Sequence, residues 1–332
     1  MNPLLKPIAA LGVPFYYLGQ RAHRWWKMRN RRPGSIPTVV VGNFMVGGTG
    51  KTPMVRWVVN QLRDKGWNPV IVSRGYGGSF TTPTSVYPHH TAEQIGDEAL
   101  LHRAVAPTFI GADRHAVIDL AARWSKKMGH RNPVAVLDDG LQHYALQPHF
   151  SMVCQGANDW DAPPILLPLG RFREPVYTRG IDAFISTNAP RKGLTSGEQM
   201  AKKSLQNFYR AHSNTQAPSQ VNSGLVVCGI AQPNRYIEGV KAVNPALIQA
   251  TNVFTFGDHH AYTQAEFGSL VAAAKEHGNT IQCTAKDWVK LAPLNRASGS
   301  PVTLQKWDYR AQISEGKDAL VNSMVSALQK SL

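Results

Sequence analysis

The chain has 332 residues, of which 43% are hydrophobic and 17% charged, a composition that fits a packed globular protein and excludes a largely disordered one. Lysine and arginine outnumber aspartate and glutamate by 36 to 21, and this excess predicts an anionic partner such as nucleic acid, acidic lipid or a phosphorylated substrate. We expect no segment that spans a bilayer, because no run of 18 apolar residues occurs, and three widely spaced cysteines favour reduced thiols in the cytosol.

The first predicted element is a helix over residues 1–32. Apolar side chains recur there at steps of three and four, which is helical spacing: Leu4, Ile8, Leu11, Phe15, Leu18, Ala22 and Trp25. Seven cations and two aromatic pairs border this stripe. Two interpretations stay open: a helix packed on its own domain, or a helix in a membrane interface with its aromatic residues at headgroup depth and its cations on anionic lipid.

From residue 36 the sequence alternates between short apolar strands and amphipathic helices. The predicted strands are IPTVVVG, NPVIVSRGYGG, PTFIG and NPVAVLDDG, and the helices between them are PMVRWVVNQLRDKG, TAEQIGDEALLHRAV and DRHAVIDLAARWSKKMG. This alternation predicts an α/β, P-loop NTPase-like fold with a doubly wound, mostly parallel sheet. In such folds ligands bind beyond the carboxyl ends of the strands.

The second half of the chain has a similar pattern after a polar stretch at 187–222. Strands are predicted at FSMVC and GIDAFIST before that stretch, one helix near 197–211 within it, and further strands at SGLVVCGIA, NVFTFG, TIQCT and PVTLQKW beyond it. A last helix is expected at about 316–331. We therefore predict three units: a membrane-interface helix (1–35), a P-loop kinase core (36–215) and a smaller α/β domain (216–332).

The segment VGNFMVGGTGKTP is a candidate phosphate-binding loop, although Met45 stands where the usual G-x-x-x-x-G-K-[ST] pattern has its first glycine. Its glycines can aim backbone amides into one concavity at a helix N-terminus. Lys51 can reach the β- and γ-phosphates of ATP, and the Thr52 hydroxyl can bind Mg²⁺. The predicted nucleotide-binding residues are Val46, Gly47, Gly48, Thr49, Gly50, Lys51 and Thr52.

Acidic residues follow two other predicted strands or loops. Asp138 and Asp139 end an apolar strand, where a carboxylate holds the Mg²⁺ of P-loop enzymes; the alternative is a capping role. In SRGYGG, Arg74 could bind a phosphate. In GDEALLHR, Asp97 or Glu98 could orient or deprotonate a hydroxyl. Each of these could also be a helix cap or a surface charge.

Two later segments complete the candidate site. FGDHHAYT places Asp258 beside His259 and His260, and a carboxylate can orient a histidine that acts as a base; the histidines could also be part of an ordinary loop or an incomplete metal site. LLPLGRFREP could grip an anionic headgroup or form surface ion pairs. The candidate substrate contacts are Arg74, Arg171, Arg173, Glu174, Asn43 and His143.

Together these motifs resemble one family, the tetraacyldisaccharide 4′-kinases of lipid A biosynthesis in Gram-negative bacteria. The resemblance is carried by VGNFMVGGTGKTP, VSRGYGG, GDE, GADR, VLDDGLQH, RFREP, GIAQPNRY, FGDHHAYT and TAKDWVKL. It implies phosphorylation, with ATP and Mg²⁺, of the 4′-hydroxyl of a tetraacylated glucosamine disaccharide 1-phosphate. It also implies a peripheral enzyme on the cytoplasmic face of the inner membrane, with Asp97 and His259 activating the hydroxyl and Asp138 and Asp139 near the metal.

Three other functions remain as alternatives. A soluble P-loop kinase for a small metabolite would need neither lipid nor residues 1–32. A membrane-surface NTPase switch is disfavoured by Val46, where dimeric partitioning ATPases have a lysine, and by the DHH segment. A nucleic-acid-dependent NTPase is suggested only by the charge, and we expect no nucleic acid because the cations lie beside apolar and aromatic residues. No obligate protein partner is indicated.

Overall fold

The computed structural model describes residues 6–249, 251–299 and 301–331, with side chains of the first helix described from Ala10 onward. Leu4 and the side chain of Ile8, both part of the predicted apolar stripe, lie outside these residues. The helices are α1 (Lys6–Arg29), α2 (Lys51–Asp64), α3 (Ala92–Ile95), α4 (Asp97–Arg103), α5 (Arg114–Lys127), α6 (Ser196–Ser204), α7 (Pro233–Val243), α8 (Gln264–Glu276), α9 (Ala285–Ala297) and α10 (Lys317–Gln329).

The strands of the described residues form one sheet. They are β1 (Thr38–Gly42), β2 (Asn68–Ser73), β3 (Thr84–Ser85), β4 (Thr108–Ile110), β5 (Pro133–Asp138), β6 (Phe150–Gly156), β7 (Ala183–Thr187), β8 (Phe208–Gln216), β9 (Leu225–Cys228), β10 (Val253–Thr255), β11 (Thr280–Thr284) and β12 (Thr303–Ile313). Their order is β10-β9-β11-β12-β8-β7-β6-β1-β5-β2-β4-β3. All pairs are parallel except β8–β12 and β3–β4, which confirms the predicted mostly parallel α/β fold.

Strand β1 lies near the centre of the first half and is buried on both faces. Val39 and Val41 pack with Met54 of α2 on one side, whereas Val40 packs with Val117 of α5 on the other. Because both faces are covered by helices, the strand reads as a continuous apolar run and not as an alternating one. The same arrangement holds the loop after β1 at the carboxyl edge of the sheet.

The antiparallel pair β8–β12 joins the two halves of the sheet. The helix expected near 197–211 is wrong in its second part, because α6 ends at Ser204 and residues from Phe208 onward form β8. Pairing with β7 and β12 on either side outweighs the local helical pattern. The domain boundary near 216 stays a prediction. The last helix, α10, packs Leu320 and Met324 into the same hydrophobic core as Val39 and Val41 of β1.

A break in the predicted helix TAEQIGDEALLHRAV positions Asp97. Gly96 separates α3 from α4 with φ at 84°, a left-handed value that glycine adopts without steric cost. A Cβ at this position would lie 2.3 Å from the Tyr76 carbonyl oxygen, so only glycine fits. Asp97 therefore begins α4 beside the turn that follows β2.

Helix α1 packs on the body through its polar and aromatic face. Tyr16 donates a hydrogen bond to the carbonyl of Arg173 at 2.7 Å, and Gln20 donates to the Tyr144 hydroxyl at 2.8 Å. The apolar stripe lies on the other face: Phe15 is 78% exposed and Trp25 60%. The packed face of this helix is therefore not its apolar one. Among the described residues, no helix combines the length and apolar character needed to cross a membrane.

Candidate active site

A cleft of about 1120 Å³ opens at the carboxyl ends of the parallel strands. The loop between β1 and α2 forms its floor. One wall comes from residues that follow β2 and β5, and the other from residues that follow β9, β10 and β11. Helix α1 lines the cleft with Tyr16, Gln20, His23 and Lys27. Both halves of the sheet and the N-terminal helix thus meet at one site.

The floor loop has the geometry of a phosphate cradle. Gly50, the residue before α2, has φ at 75°, and the free amides of the first turn of α2 follow it. The loop is held from below: Asn43 Nδ2 donates to the Met45 carbonyl at 2.7 Å and to Thr49 Oγ1 at 2.9 Å. Thr187 Oγ1 donates to the Thr49 carbonyl at 2.6 Å. These contacts fix the loop before any ligand arrives.

Met45 takes the place of the usual first glycine without disturbing the loop. Its side chain is buried in the core with Phe44 and Phe172, and the turn that a glycine would make is made by Gly47, whose φ is 104°. The departure from the common pattern thus anchors the loop on the core.

Asp139 and Asp138 lie at the end of β5 and face different partners. Asp139 Oδ1 is 3.4 Å from Lys51 Nζ and its Oδ2 accepts a hydrogen bond from Arg173 at 2.9 Å. Burial would raise the pKa of Asp139, but Lys51 and Arg173 outweigh it and hold the pKa below its ordinary value. Asp138 lies deeper and contacts His102 Nε2 at 2.6 Å. Asp139 therefore lies next to Lys51 at the start of α2, whereas Asp138 contacts α4.

The residues predicted to hold Mg²⁺ provide a suitable set of oxygen atoms. Within the described part of the chain, Asp138 Oδ1 is buried without a hydrogen-bond partner, and the buried Asp139 Oδ1 faces Lys51 Nζ at 3.4 Å. Thr52 also lines the cleft and offers a hydroxyl. Since Mg²⁺ prefers oxygen ligands and keeps several waters, this donor set fits the ion.

Asp97 and His259 come from different halves of the chain and are in direct contact, with His259 lining the cleft. His259 Nδ1 is 3.1 Å from both carboxylate oxygens of Asp97, and Lys290 Nζ is 3.6 Å from Oδ2. Burial would raise the pKa of Asp97, but the His259 hydrogen bond and two lysines lower it overall. The hydrogen bond to Asp97 raises the pKa of His259. The pair therefore favours an ionised carboxylate that accepts a hydrogen bond from His259 Nδ1.

The two histidines of FGDHHAYT have different surroundings. His259 adopts φ at 59°, which turns its ring towards Asp97. His260 contacts Glu266 at 3.2 Å and stacks on Phe256. In this geometry it is His259 that faces the cleft.

The structure separates the predicted substrate contacts into two groups. Arg74, Arg173 and His143 line the cleft. Burial, and to a lesser extent the positive charge of Arg114, lowers the pKa of His143 to about 4. Asn43, Arg171 and Glu174 are not among its lining residues.

The second group makes contacts within the protein, and its role in substrate binding stays a prediction. Asn43 holds the loop from below. Arg171 pairs with Asp159 at 2.7 Å outside the loop. Fully buried Glu174 accepts hydrogen bonds from Gln142 and Tyr144. The neighbouring side chains of Arg173 and Glu174 therefore lie in different places, Arg173 in the cleft and Glu174 in the interior.

Three residues at the site are not indicated by the sequence patterns. His102 supports Asp138. Lys286 lies 3.0 Å from His259 Nε2 and 3.6 Å from Glu98, and Lys290 reaches Asp97. The two lysines are four residues apart at the start of a helix after a strand, a spacing that puts both on one face. That spacing is the signal that could have identified them.

Comparisons with known proteins identify the family and the fold. A family model described as LpxK, tetraacyldisaccharide-1-P 4′-kinase, matches residues 1–329. A tetraacyldisaccharide 4′-kinase of Idiomarina loihiensis is 31% identical over 99% of this chain and 95% of its own. One of Halorhodospira halophila is 36% identical over 88% and 85%. The crystal structure of LpxK from Aquifex aeolicus in complex with ATP shares the fold, with a TM-score of 0.72, 20% identity and 98% of each chain covered.

Proposed function

The chain belongs to the tetraacyldisaccharide-1-P 4′-kinase family, and from this premise we propose that it transfers the γ-phosphoryl group of ATP to the 4′-hydroxyl of a tetraacylated glucosamine disaccharide 1-phosphate. One observation carries the proposal: the phosphate loop and His259 line a single cleft, and the buried Asp97 carboxylate lies 3.1 Å from His259 Nδ1. The loop would bind the phosphates of the donor, ATP, and the Asp97–His259 pair would position the hydroxyl of the acceptor.

At the donor end, the loop amides and Lys51 hold the ATP phosphates. Lys51 forms an ion pair with Asp139 in this structure. When the nucleotide binds, Lys51 would contact phosphate oxygens and its contact with Asp139 would weaken. Thr52, Asp138 and Asp139 would hold Mg²⁺. When bound, Mg²⁺ neutralises charge on the β- and γ-phosphate oxygens.

At the acceptor end, Asp97 orients the 4′-hydroxyl and accepts its proton. The new bond forms between the hydroxyl oxygen and the γ-phosphorus, and the bond from that phosphorus to the ADP oxygen breaks. His259 and Lys290 keep the carboxylate ionised and in place. Because phosphoryl transfer has a loose transition state, positioning of the hydroxyl contributes more than a strong base would.

The same helix that lines the cleft would dock the enzyme on the bilayer. The exposed stripe of α1 includes Phe15 and Trp25, and the Arg29 guanidinium lies 3.8 Å from the Trp25 ring centroid. Aromatic rings and cations in this arrangement suit the interface of an anionic membrane, where each cation contributes about 1 kcal/mol. We infer a peripheral position on the cytoplasmic face of the inner membrane, where the acylated substrate resides.

The decisive assay follows labelled γ-phosphate into the lipid disaccharide in mixed micelles. We expect label in the lipid with wild-type protein and none with Lys51→Ala. Transfer to a soluble sugar without lipid would support the metabolite kinase instead. ATP hydrolysis without transfer to lipid would support an NTPase switch and contradict the kinase.

A further inference from the structure

Three potential metal ligands outside the proposed catalytic machinery come together beside the cleft. Asp113, His115 and His143 each offer one ligand atom, and these atoms lie within 4.8 Å of one another. Across residues 6–249, 251–299 and 301–331 this is the one such group of three or more histidine, cysteine or acidic residues. Asp113 and His115 flank the start of α5, whereas His143 follows β5, so two loops distant in sequence supply the group.

Two of the three side chains, those of Asp113 and His115, are oriented by a contact that leaves a lone pair free. Asp113 Oδ1 accepts hydrogen bonds from the backbone amides of His115 and Ala116 at 3.0 and 3.3 Å, which leaves Oδ2 available. His115 Nε2 lies 3.2 Å from the Arg32 carbonyl. A carbonyl only accepts, so Nε2 carries the proton and Nδ1 has the free lone pair.

His143 supplies the most informative observation. Its Nε2 is buried and has no hydrogen-bond partner in the described part of the chain. A buried nitrogen without a partner is unfavourable, and a ligand in this position would satisfy it. A carbonyl that accepts from the other ring nitrogen of a ligating histidine, as that of Arg32 does for His115, fixes the tautomer and is the usual companion of a protein metal site.

We propose that Asp113, His115 and His143 form a binding site for a divalent transition ion of the Zn²⁺ or Ni²⁺ class. Two imidazoles and one carboxylate suit these borderline ions better than Mg²⁺, which prefers oxygen ligands. Three protein ligands leave a coordination position for water or a phosphate oxygen. Because His143 also lines the cleft, the ion lies at the cleft wall, separate from the acids at the end of β5.

The surrounding charges set the affinity of this site. Lys27 and Arg114 are close enough to His143 to disfavour a positive charge on it, and Asp113 favours one. Arg114 donates a hydrogen bond to the Gly111 carbonyl, which keeps its guanidinium engaged. Removing the Lys27 charge should tighten ion binding by about 2- to 5-fold, since partly exposed charges interact weakly across solvent.

The test uses the untagged full-length chain, stripped of metal by a chelator and kept in excess Mg²⁺. Zn²⁺ titration by calorimetry and the visible absorption of bound Co²⁺ measure the site. We expect wild-type protein to bind one equivalent of Zn²⁺ or Co²⁺. His115→Ala and Asp113→Asn should lose this bound ion, and Lys27→Gln should bind it more tightly. His90→Ala, at a histidine pair elsewhere on the surface, is the matched control and should keep the equivalent.

Two results would overturn the proposal. One is the absence of a saturable equivalent in wild-type protein. The other is an equivalent that His115→Ala and Asp113→Asn leave unchanged while His90→Ala removes it. Asp113 is exposed and His115 half-buried, so both variants should fold, and unchanged circular dichroism checks this. None of these measurements uses kinase activity, so the outcome is independent of the proposed reaction.

Discussion

Replacing two apolar residues of the α1 stripe, Phe15 and Leu18, with serine should release the enzyme from membranes. Their side chains are 78% and 63% exposed, so the body of the protein gains little from them. Full burial of a Phe or Leu side chain is worth about 1.5–3 kcal/mol. With these exposed fractions, membrane insertion would gain about 1–2 kcal/mol for each residue.

The double variant should therefore lose about 2–4 kcal/mol of membrane affinity, which is a fall of about 30- to 900-fold in the partition coefficient. The assay is co-sedimentation with vesicles that contain phosphatidylglycerol, with denaturant unfolding measured in parallel. The matched control is Met200→Ser, because Met200 on α6 is 73% exposed and lies outside the stripe. The control should bind vesicles as the wild type does.

Two outcomes would refute this reasoning. If the double variant keeps the wild-type partition coefficient within about 3-fold, the stripe contributes far less than its exposed area predicts. If Met200→Ser weakens binding equally, a general loss of surface hydrophobicity is responsible and α1 has no special role. A fall in unfolding free energy in the double variant would instead mean that the stripe packs on the protein.

Three further predictions concern the cleft. Asp97→Asn should lower kcat by about 10²- to 10⁴-fold with little change in the KM for ATP, because the carboxylate faces His259 and not the phosphate loop; an equal loss of ATP affinity would contradict its role. The raised pKa of His259 adds stability that is fully present below the unfolded value of 6.5 and is lost as pH rises through the higher folded value. Urea unfolding should therefore separate His259→Ala from wild type more at about pH 5.5 than at about pH 9, and equal separation would count against the Asp97 contact. Arg56→Ala should lower the unfolding free energy by about 1–2 kcal/mol, since Arg56 Nη1 donates to both oxygens of Asp308 at 2.7 and 2.8 Å; a double-mutant cycle with Asp308→Ala showing no coupling would refute it.

Much of the fold was readable from the sequence because local patterns and tertiary structure agree there. The apolar runs that became β1 and β5 are buried on both faces, and their carboxyl ends carry the glycine loop and the paired acids. Parallel strands bring such ends to one edge, so Lys51 and Asp139 could be placed near each other. The exception at 197–211 arises because strand pairing with β7 and β12 decides the state of residues 208–211.

The family motifs named the chemistry, but only the tertiary structure decided which side chains meet. The family motif pointed to His259, but the sequence did not decide whether His259 or His260 faces the cleft; a left-handed backbone at His259 turns it to Asp97. Periodicity placed the apolar stripe on one face of α1 but could not tell whether that face packs, because covered and uncovered stripes have the same spacing. Contacts between residues more than a hundred positions apart in sequence, such as Gln20 and Tyr144, pack the polar face of α1 on the protein. They leave Phe15 exposed.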